Sequence, residues 1–208
     1  NPKTSGGREK KGSIYEGGLR VPGILEWPAR KLKGRTAVPA STCDMYPTLM
    51  AMAGVELVAP HTLDGIDVSD VIFDKAETRS KPIGFWHGLQ GGQSTKSDAV
   101  LKDIMDKQRA KAALPHNAHR MKKDVNQFPQ FPENTARGHA AWNDWPWKLH
   151  RIGGKKYELY NLEKDPGERN DLAKDPKHRT QLEGMKKELN AWMKSVIQSL
   201  NGKDYKKK

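Results

Sequence analysis

The sequence predicts a fold that mixes α-helices and β-strands, and two of its patterns carry that prediction. Near the end of the chain, large apolar residues recur every three or four positions over 177–200, which is the pattern of an amphipathic helix. Before it, the runs 141–152 and 157–161 alternate in polarity and flank the Gly153-Gly154 turn, as the strands of a hairpin do.

The rest of the chain is predicted to hold shorter elements separated by loops. These are a strand at 23–27, a helix at 44–53, a helical piece ending near Phe73 and a strand at 82–86. Gly54 is a natural residue to end the first of these helices. Residues 88–138 differ in composition and are interpreted as an insertion or long functional loop with a helix near 99–114.

Length and charge exclude some classes of protein. The chain has 208 residues and a formal charge of +12, from 37 Lys and Arg against 25 Asp and Glu. Because no apolar run reaches about 18 residues, no transmembrane helix and no membrane insertion are predicted. The single cysteine, Cys43, excludes an internal disulfide framework and a cysteine-based zinc site. The positive charge favours acidic partners: nucleic acid, an anionic surface, or a sulfated or phosphorylated substrate.

One segment, 11–22, has a pattern with chemical meaning. It reads Lys-Gly-Ser-Ile-Tyr-Glu-Gly-Gly-Leu-Arg-Val-Pro, so a lysine beside a glycine precedes the pair Gly17-Gly18. Glycines let the backbone approach another group closely, and a lysine is a compact charge that can meet an oxyanion. An ordinary glycine-rich turn before a strand accounts for the same spacing, and the residues alone leave both readings open.

Taken with three later segments, this pattern resembles the type I, formylglycine-dependent sulfatases of the alkaline phosphatase superfamily. The later segments are 43–55 (Cys-Asp-Met-Tyr-Pro-Thr-Leu to Ala-Gly-Val), 63–67 (Leu-Asp-Gly-Ile-Asp) and 147–172, with Tyr-Glu-Leu-Tyr-Asn-Leu and Asp-Pro-Gly-Glu-Arg-Asn-Asp-Leu. Together with the first, they span nearly the whole length of the chain, apart from 88–138. The resemblance implies an alkaline-phosphatase-like α/β fold: the end of the large α/β domain, then a small C-terminal antiparallel sheet with a packed C-terminal helix.

The resemblance also implies a hydrolase of sulfate esters, with a formylglycine nucleophile and a calcium ion that polarises the sulfate. By its place in the motif, Lys11 is expected to contact the sulfate, and the neighbouring Lys10 is a weaker candidate. Metal and lysine together would neutralise the charge that builds on the transferred group. The residues expected to shape the loop, with a Glu16–Arg20 pair as one arrangement, are Glu16, Gly17, Gly18 and Arg20.

The sequence departs from this family at the catalytic positions. It contains no Cys/Ser-x-Pro/Ala-x-Arg motif, where formylglycine forms, and it lacks the paired aspartates of the metal site. Cys43 is therefore interpreted as a small core residue of the helix, and Asn1 as a candidate calcium ligand. Because the chain starts without Met or a signal-peptide pattern, it is predicted to be the C-terminal part of a sulfatase, inactive by itself.

Several histidines and aromatic residues have two open interpretations. His87, at the end of a predicted strand, lines the active-site cleft or is a structural histidine. His116 and His119 lie in a basic stretch that contacts an anionic saccharide or is simply solvated. Three tryptophans stack on sugar rings or fill the core under the C-terminal helix: Trp142, Trp145 and Trp147.

The predicted divisions are 1–75, the end of the catalytic domain; 76–138, a strand plus a variable insertion; and 139–208, a subdomain with a hairpin and the amphipathic helix. The expected partner is a sulfated small molecule or glycan, and the resemblance implies export to a periplasmic, secreted or lysosome-like location. Two alternatives stay open: a non-catalytic basic module that binds a polyanion, and a phosphodiesterase or phosphonate hydrolase relative. Because the lysines are spread over every segment, a dedicated nucleic-acid reader is disfavoured.

Overall fold

The computed structural model describes residues 7–58, 62–73, 75–87, 97–112 and 131–203. Its centre is a four-stranded antiparallel sheet in which each strand pairs with its neighbour in sequence. The strands are β1 (Ile83–His87), β2 (His139–Asp144), β3 (Trp147–Ile152) and β4 (Lys156–Asn161). The prediction of a mixed α/β fold with a small antiparallel sheet is confirmed.

The run 141–152, predicted as one strand, is two strands. The chain turns at Trp145-Pro146, between β2 and β3. Proline has no N–H to donate to a neighbouring strand, so it is disfavoured inside a central strand and marks the break here. The turn at Gly153-Gly154 is where the sequence predicts it, and both glycines have positive φ, 58° and 76°.

The longest helix covers one face of the sheet. The helices are α1 (Glu16–Leu19), α2 (Met45–Met52), α3 (Ser69–Ile72), α4 (Ser97–Arg109) and α5 (Arg179–Leu200). The buried residues of α5 are Leu182, Met185, Leu189, Met193 and Ile197, at the predicted spacings of three and four. The core beneath α5 includes Trp142, Leu149 and Leu159 from three neighbouring strands. The apolar stripe predicted from the sequence is therefore the face of α5 that packs against the sheet.

Gly84 lies on β1 where Trp192 of α5 packs against the sheet, and a Cβ there would overlap the indole ring. We expect Gly84→Ala to lower the free energy of unfolding by about 1–3 kcal/mol in urea denaturation, because the packed ring has to shift. Gly184→Ala is the matched control in α5, where an added Cβ meets nothing within 4 Å. We expect Gly184→Ala to raise the free energy of unfolding by about 0.5–1 kcal/mol. Equal effects of the two changes would contradict the packing.

The strand predicted at 23–27 is wrong. These residues form no regular secondary structure and pair with no strand of the described part of the chain, and a 3₁₀ turn at Pro28–Arg30 follows them. A strand exists only where a neighbour satisfies its N–H and C=O groups, and the pattern within one segment does not reveal such a neighbour. The side chain of Ile24 is 95% exposed.

A buried ion pair organises the segment 39–81. The Asp44 carboxylate accepts the backbone N–H groups of Ser41 (2.7 Å) and Ile66 (2.9 Å). It also accepts two hydrogen bonds from Arg79, at 2.9 and 3.2 Å, and both side chains are at most 3% exposed. Gly65 permits this arrangement, since a Cβ there would overlap the carbonyl of Cys43. The Leu-Asp-Gly-Ile-Asp segment therefore has a structural role, because Gly65 and Ile66 contact the turn that carries Asp44.

Cys43 does not fill the core as predicted, because its side chain is exposed. It lies in the 3₁₀ turn Thr42–Asp44 that precedes α2, with Sγ 3.3 Å from Ser41 Oγ. The turn directs Asp44 inward to its four hydrogen-bond donors, and the adjacent cysteine consequently points to solvent.

Large apolar side chains remain exposed in the N-terminal part of the described chain. They are Val21, Ile24, Leu25, Met45, Tyr46, Leu49, Val55, Leu57 and Val58. Two of them, Val55 and Leu57, line an open groove of about 610 Å³ together with Pro47, Ala51, Leu63 and Ile66 among others. Exposed apolar residues in such number are typical of an interface. No described helix has the length and apolar character needed to cross a bilayer.

Candidate functional site

The face of the sheet opposite α5 is polar, and it carries the candidate site. The register places these side chains on that face: His139 and Asn143 of β2, Lys148 and His150 of β3, and Glu158 and Tyr160 of β4. All except the half-buried His139 are buried, although most are polar or charged. Residues 8–20, here called the lysine loop, contact this face and account for the burial.

The lysine loop folds back on itself. The N–H of Gly17 donates to the carbonyl of Arg8 (2.8 Å), and the N–H of Ser13 donates to the carbonyl of Lys10 (3.1 Å). A Cβ at Gly17 would overlap the carbonyl of Arg8, and a Cβ at Gly18 would overlap that of Ser13. The close approach that the glycine pair allows is therefore to the backbone of the same loop.

The Glu158 carboxylate on β4 is the first anchor of the lysine loop. It accepts hydrogen bonds from Tyr15 Oη (2.7 Å), Tyr160 Oη (2.9 Å), Lys156 Nζ (2.6 Å) and Arg8 Nη1 (3.2 Å). Burial by itself would raise the pKa of Glu158, but these hydrogen bonds and the charge of Arg8 outweigh it and lower the pKa to about 2. The Arg8 guanidinium also lies 3.9 Å from the centre of the Tyr15 ring. Two side chains of the loop thus bind one ionised carboxylate of the sheet.

Glu168, which follows β4, is the second anchor. Its Oε2 accepts the backbone N–H of Glu16 at 2.6 Å, and its Oε1 lies 3.0 Å from Lys148 Nζ and 2.7 Å from His150 Nε2. Lys148 also donates to Glu16 Oε1 at 2.7 Å. Burial raises the pKa of Glu168, and the Lys148 charge opposes that rise. Because a buried ammonium needs charged partners, the loop supplies one of the two carboxylates that Lys148 requires.

His139 and His150 extend this network as neutral rings. Burial lowers the pKa of both, and the Lys148 charge lowers that of His150 further. Since Glu168 accepts at Oε1, the neutral His150 carries its proton on Nε2, and its Nδ1 accepts from His139 Nε2 at 2.9 Å. The Tyr15 ring of the lysine loop stacks on His150 with 4.4 Å between ring centres.

The structure places the predicted site residues as follows. Lys11 lies in the exposed turn of the lysine loop, next to the exposed Lys10. Glu16 pairs with Lys148 instead of Arg20, which is exposed. His87 is exposed at the end of β1, opposite His139 in the register. The predictions for Asn1, His116 and His119 lie outside the described residues.

The three tryptophans belong to protein cores. Trp142 is buried against Trp192, with 5.8 Å between ring centres, and its Nε1 donates to Glu188 at 2.9 Å. Trp147 packs against the same core, and Trp145 packs against the smaller cluster around Tyr15. These contacts favour core filling over sugar stacking.

Sequence reasoning missed the anchors Lys148, His150, Glu158 and Glu168. Polar residues that alternate with buried leucines along a strand normally face water, and only the loop that covers them reveals their role. A signal was available, because both glutamates stand in segments on which the sulfatase resemblance rests. The segment 11–22 and the segment 147–172 are far apart in sequence, and in the structure they are in contact.

No family model matches the chain. Over 185 residues, 86% of the chain, it is 30% identical to the steryl-sulfatase of Mus musculus, and over 194 residues it is 28% identical to a sulfatase of Formosa agariphila. The chain is a homologue of the sulfatases. The resemblance inferred from four ordered segments is confirmed. Arylsulfatase G of Rattus norvegicus is 40% identical over a shorter stretch of 74 residues.

This sulfatase homologue spans 26% of the length of the mouse protein and 29% of the Formosa protein. Among solved structures, Ps i-CgsB in complex with k-i-k-neocarrahexaose matches 93% of the chain and 36% of its own length, with a TM-score of 0.58 and 22% identity. A chain solved in work on glycosaminoglycan metabolism by Bacteroides thetaiotaomicron matches 90% of the chain and 32% of its own length, at a TM-score of 0.56 and 19% identity. At these identities the likeness shows the fold alone, and it confirms the predicted fold class.

Proposed function

We propose that this chain is the C-terminal part of a sulfatase that hydrolyses sulfate esters of a carbohydrate, and that Lys11 contacts the sulfate. Homology to sulfatases along 86% of the chain supports the enzyme class. The role of Lys11 is supported by its exposed position on a loop that two buried carboxylates, Glu158 and Glu168, hold in place. A cation on a fixed support is what electrostatic stabilisation of a developing charge requires.

The chemistry proposed for Lys11 is charge neutralisation. Cleavage of a sulfate ester builds negative charge on the leaving oxygen and on the oxygens of the transferred group. An ammonium group that meets one of these oxygens stabilises the transition state more than the ground state, and such an interaction raises kcat. The lysine side chain is flexible, so its reach depends on the backbone that carries it.

The nucleophile and the metal are proposed to lie outside the described residues. Within these residues, no group of three or more histidine, cysteine or acidic side chains could hold a metal ion. Asn1, beyond the described range, is retained as a proposed ligand. Bound calcium would polarise the sulfate oxygens as a hard cation with oxygen ligands, and Lys11 would add its charge to the same group.

The predicted divisions 1–75, 76–138 and 139–208 complete the proposal. In it, the exposed apolar residues between Val21 and Val58 are covered by the remainder of the catalytic domain, since such surface marks an interface. A glycan substrate agrees with the charge of +12 and with the oligosaccharide bound to Ps i-CgsB. Export from the cytoplasm, as the sulfatase resemblance implies, belongs to the same proposal.

The test is hydrolysis by the full-length protein that contains this chain. We expect release of 4-nitrophenol from its sulfate ester, loss of that activity with a chelator, and recovery with added Ca²⁺. A phenylphosphonate monoester serves as the competing substrate, and we expect slower turnover of it. Faster turnover of the phosphonate would overturn the sulfatase assignment. Absence of hydrolysis combined with DNA binding at physiological salt would favour the polyanion-binding module instead.

A further inference from the structure

We propose that Glu168 is a positioning residue for the reaction, acting through Glu16 to set the place of Lys11. The inference rests on the proposed function, because it gives Lys11 its role. It concerns a side chain that lies 152 residues after Glu16 in the sequence, in the segment that follows strand β4.

Glu168 holds Glu16 at two points. Its Oε2 accepts the backbone N–H of Glu16 at 2.6 Å. Its Oε1 lies 3.0 Å from the Lys148 ammonium, which in turn donates to the Glu16 carboxylate at 2.7 Å. The Glu168 and Lys148 side chains are 0% exposed and that of Glu16 is 14% exposed. Both the backbone and the side chain of Glu16 are therefore fixed to the sheet.

The position of Glu16 determines that of the Lys11 turn. Glu16 begins α1, and the next two residues are the glycines that pack on the other side of the loop. Gly17 donates to the carbonyl of Arg8, before the turn, and Gly18 lies against the carbonyl of Ser13, after it. The backbone on both sides of Lys11 therefore contacts α1, and α1 is hydrogen-bonded to Glu168 through the N–H of Glu16.

The anchor at Glu168 is separate from the apolar core. The contacts between α5 and the sheet lie on the opposite face and involve none of the three residues of the anchor. Loss of the Glu168 carboxylate would leave the Glu16 N–H and the His150 Nε2 without their acceptor and would remove one of the two carboxylates around Lys148. We therefore expect the lysine loop to loosen while the core persists.

The first measurement is the accessibility of the loop. We expect Glu168→Gln, in the full-length protein, to increase tryptic cleavage after Lys10 and Lys11 at least about tenfold. Glutamine has one acceptor oxygen, so its NH2 group must face either the Glu16 N–H or the Lys148 and His150 donors, and it brings no negative charge to Lys148. Cleavage after Lys177, which is exposed and lies outside the segment proposed to be covered, is the internal reference and should not change. Glu183→Gln, which removes an exposed carboxylate of α5, is the control variant and should leave the loop as it is. Unchanged cleavage after Lys10 and Lys11 would overturn the inference.

The second measurement separates positioning from general stability by a double-mutant cycle. We expect Glu168→Gln to lower kcat for an aryl sulfate about 10- to 100-fold, with a smaller change in KM, because a misplaced group loses catalysis steeply. In a Lys11→Ala background the same change should cost almost nothing, since the group it positions is gone. The same loss in both backgrounds would overturn the inference and leave the role of Lys11 intact.

Two further outcomes are informative. Unchanged turnover after Lys11→Ala alone would overturn the proposed role of Lys11 and, with it, this inference. If Glu168→Gln does not fold, Glu16→Gln takes its place in the cycle, because this side chain is partly exposed and keeps its backbone bond to Glu168. A smaller loss with the same dependence on Lys11 would support positioning, and a loss independent of Lys11 would contradict it.

Discussion

Replacing Lys11 with alanine is expected to lower kcat for an aryl sulfate about 10²–10³-fold in the full-length protein that contains this chain, if the proposed function holds; this is the loss that follows removal of one group stabilising a developing negative charge. The protein should still fold, because the Lys11 side chain is exposed and the hydrogen bonds that shape the lysine loop come from the backbone and from other residues. Steady-state kinetics with 4-nitrophenyl sulfate, alongside thermal unfolding, measures both.

The neighbouring lysine provides the control for this experiment. Lys10 has the same charge and is also exposed, and its carbonyl closes the turn by accepting the N–H of Ser13. Because alanine keeps that carbonyl, we expect Lys10→Ala to change kcat by less than about threefold, within the small effect of an exposed charge. Equal losses for the two variants would mean that the loop acts through its general charge, and near-normal turnover of Lys11→Ala would remove the role assigned to it.

Replacing Asp44 with alanine is expected to have the largest effect on stability, a loss of about 3–5 kcal/mol in the segment 39–81. The change leaves the Arg79 guanidinium buried without its carboxylate and takes the acceptor from two backbone N–H groups. Burial would raise the pKa of Asp44, but the hydrogen bonds from Arg79, Ser41 and Ile66 outweigh it and lower the pKa. The carboxylate is therefore ionised at neutral pH and its loss exposes the full cost of the unpaired charge.

Hydrogen exchange at the Val68 amide can report this loss. That amide donates to Thr48 Oγ1 at 3.0 Å, so it belongs to the same unit without being bonded to Asp44. The matched control is Asp70→Ala, which removes an aspartate from the exposed Lys75 pair at 3.7 Å and should change stability by less than about 1 kcal/mol. Val68 protection that survives Asp44→Ala would show that the ion pair does not hold the unit together.

Local patterns predicted those parts of the fold that depend on neighbours in sequence. The stripe of α5 is one case, since its spacing follows from the helical repeat and its burial from the apolar character of that stripe. The glycine turn between β3 and β4 is another. The strand predicted at 23–27 fails because pairing requires a partner that the segment itself does not encode. The prediction that Cys43 is a core residue is wrong because the hydrogen bonds of Asp44 orient the turn in which Cys43 lies.

The sequence by itself indicated the resemblance to sulfatases and the candidate lysine. Both depend on residue types in a fixed order along four short segments of the chain. The glycine pair after the lysine indicated that the backbone can approach another group closely, although not which group it approaches.

Only the tertiary structure decided how the lysine loop is held. Arg8 meets Glu158 across 150 residues of sequence, and Glu16 meets Lys148 across 132. Whether a charged side chain lies in water or is buried in a network depends on which distant segment covers it, and the free energy of a charge depends steeply on that burial. No pattern within a single segment contains this information. Lys148 and Glu158 alternate with buried leucines on two strands and therefore resemble solvent-facing residues, yet both bind the lysine loop.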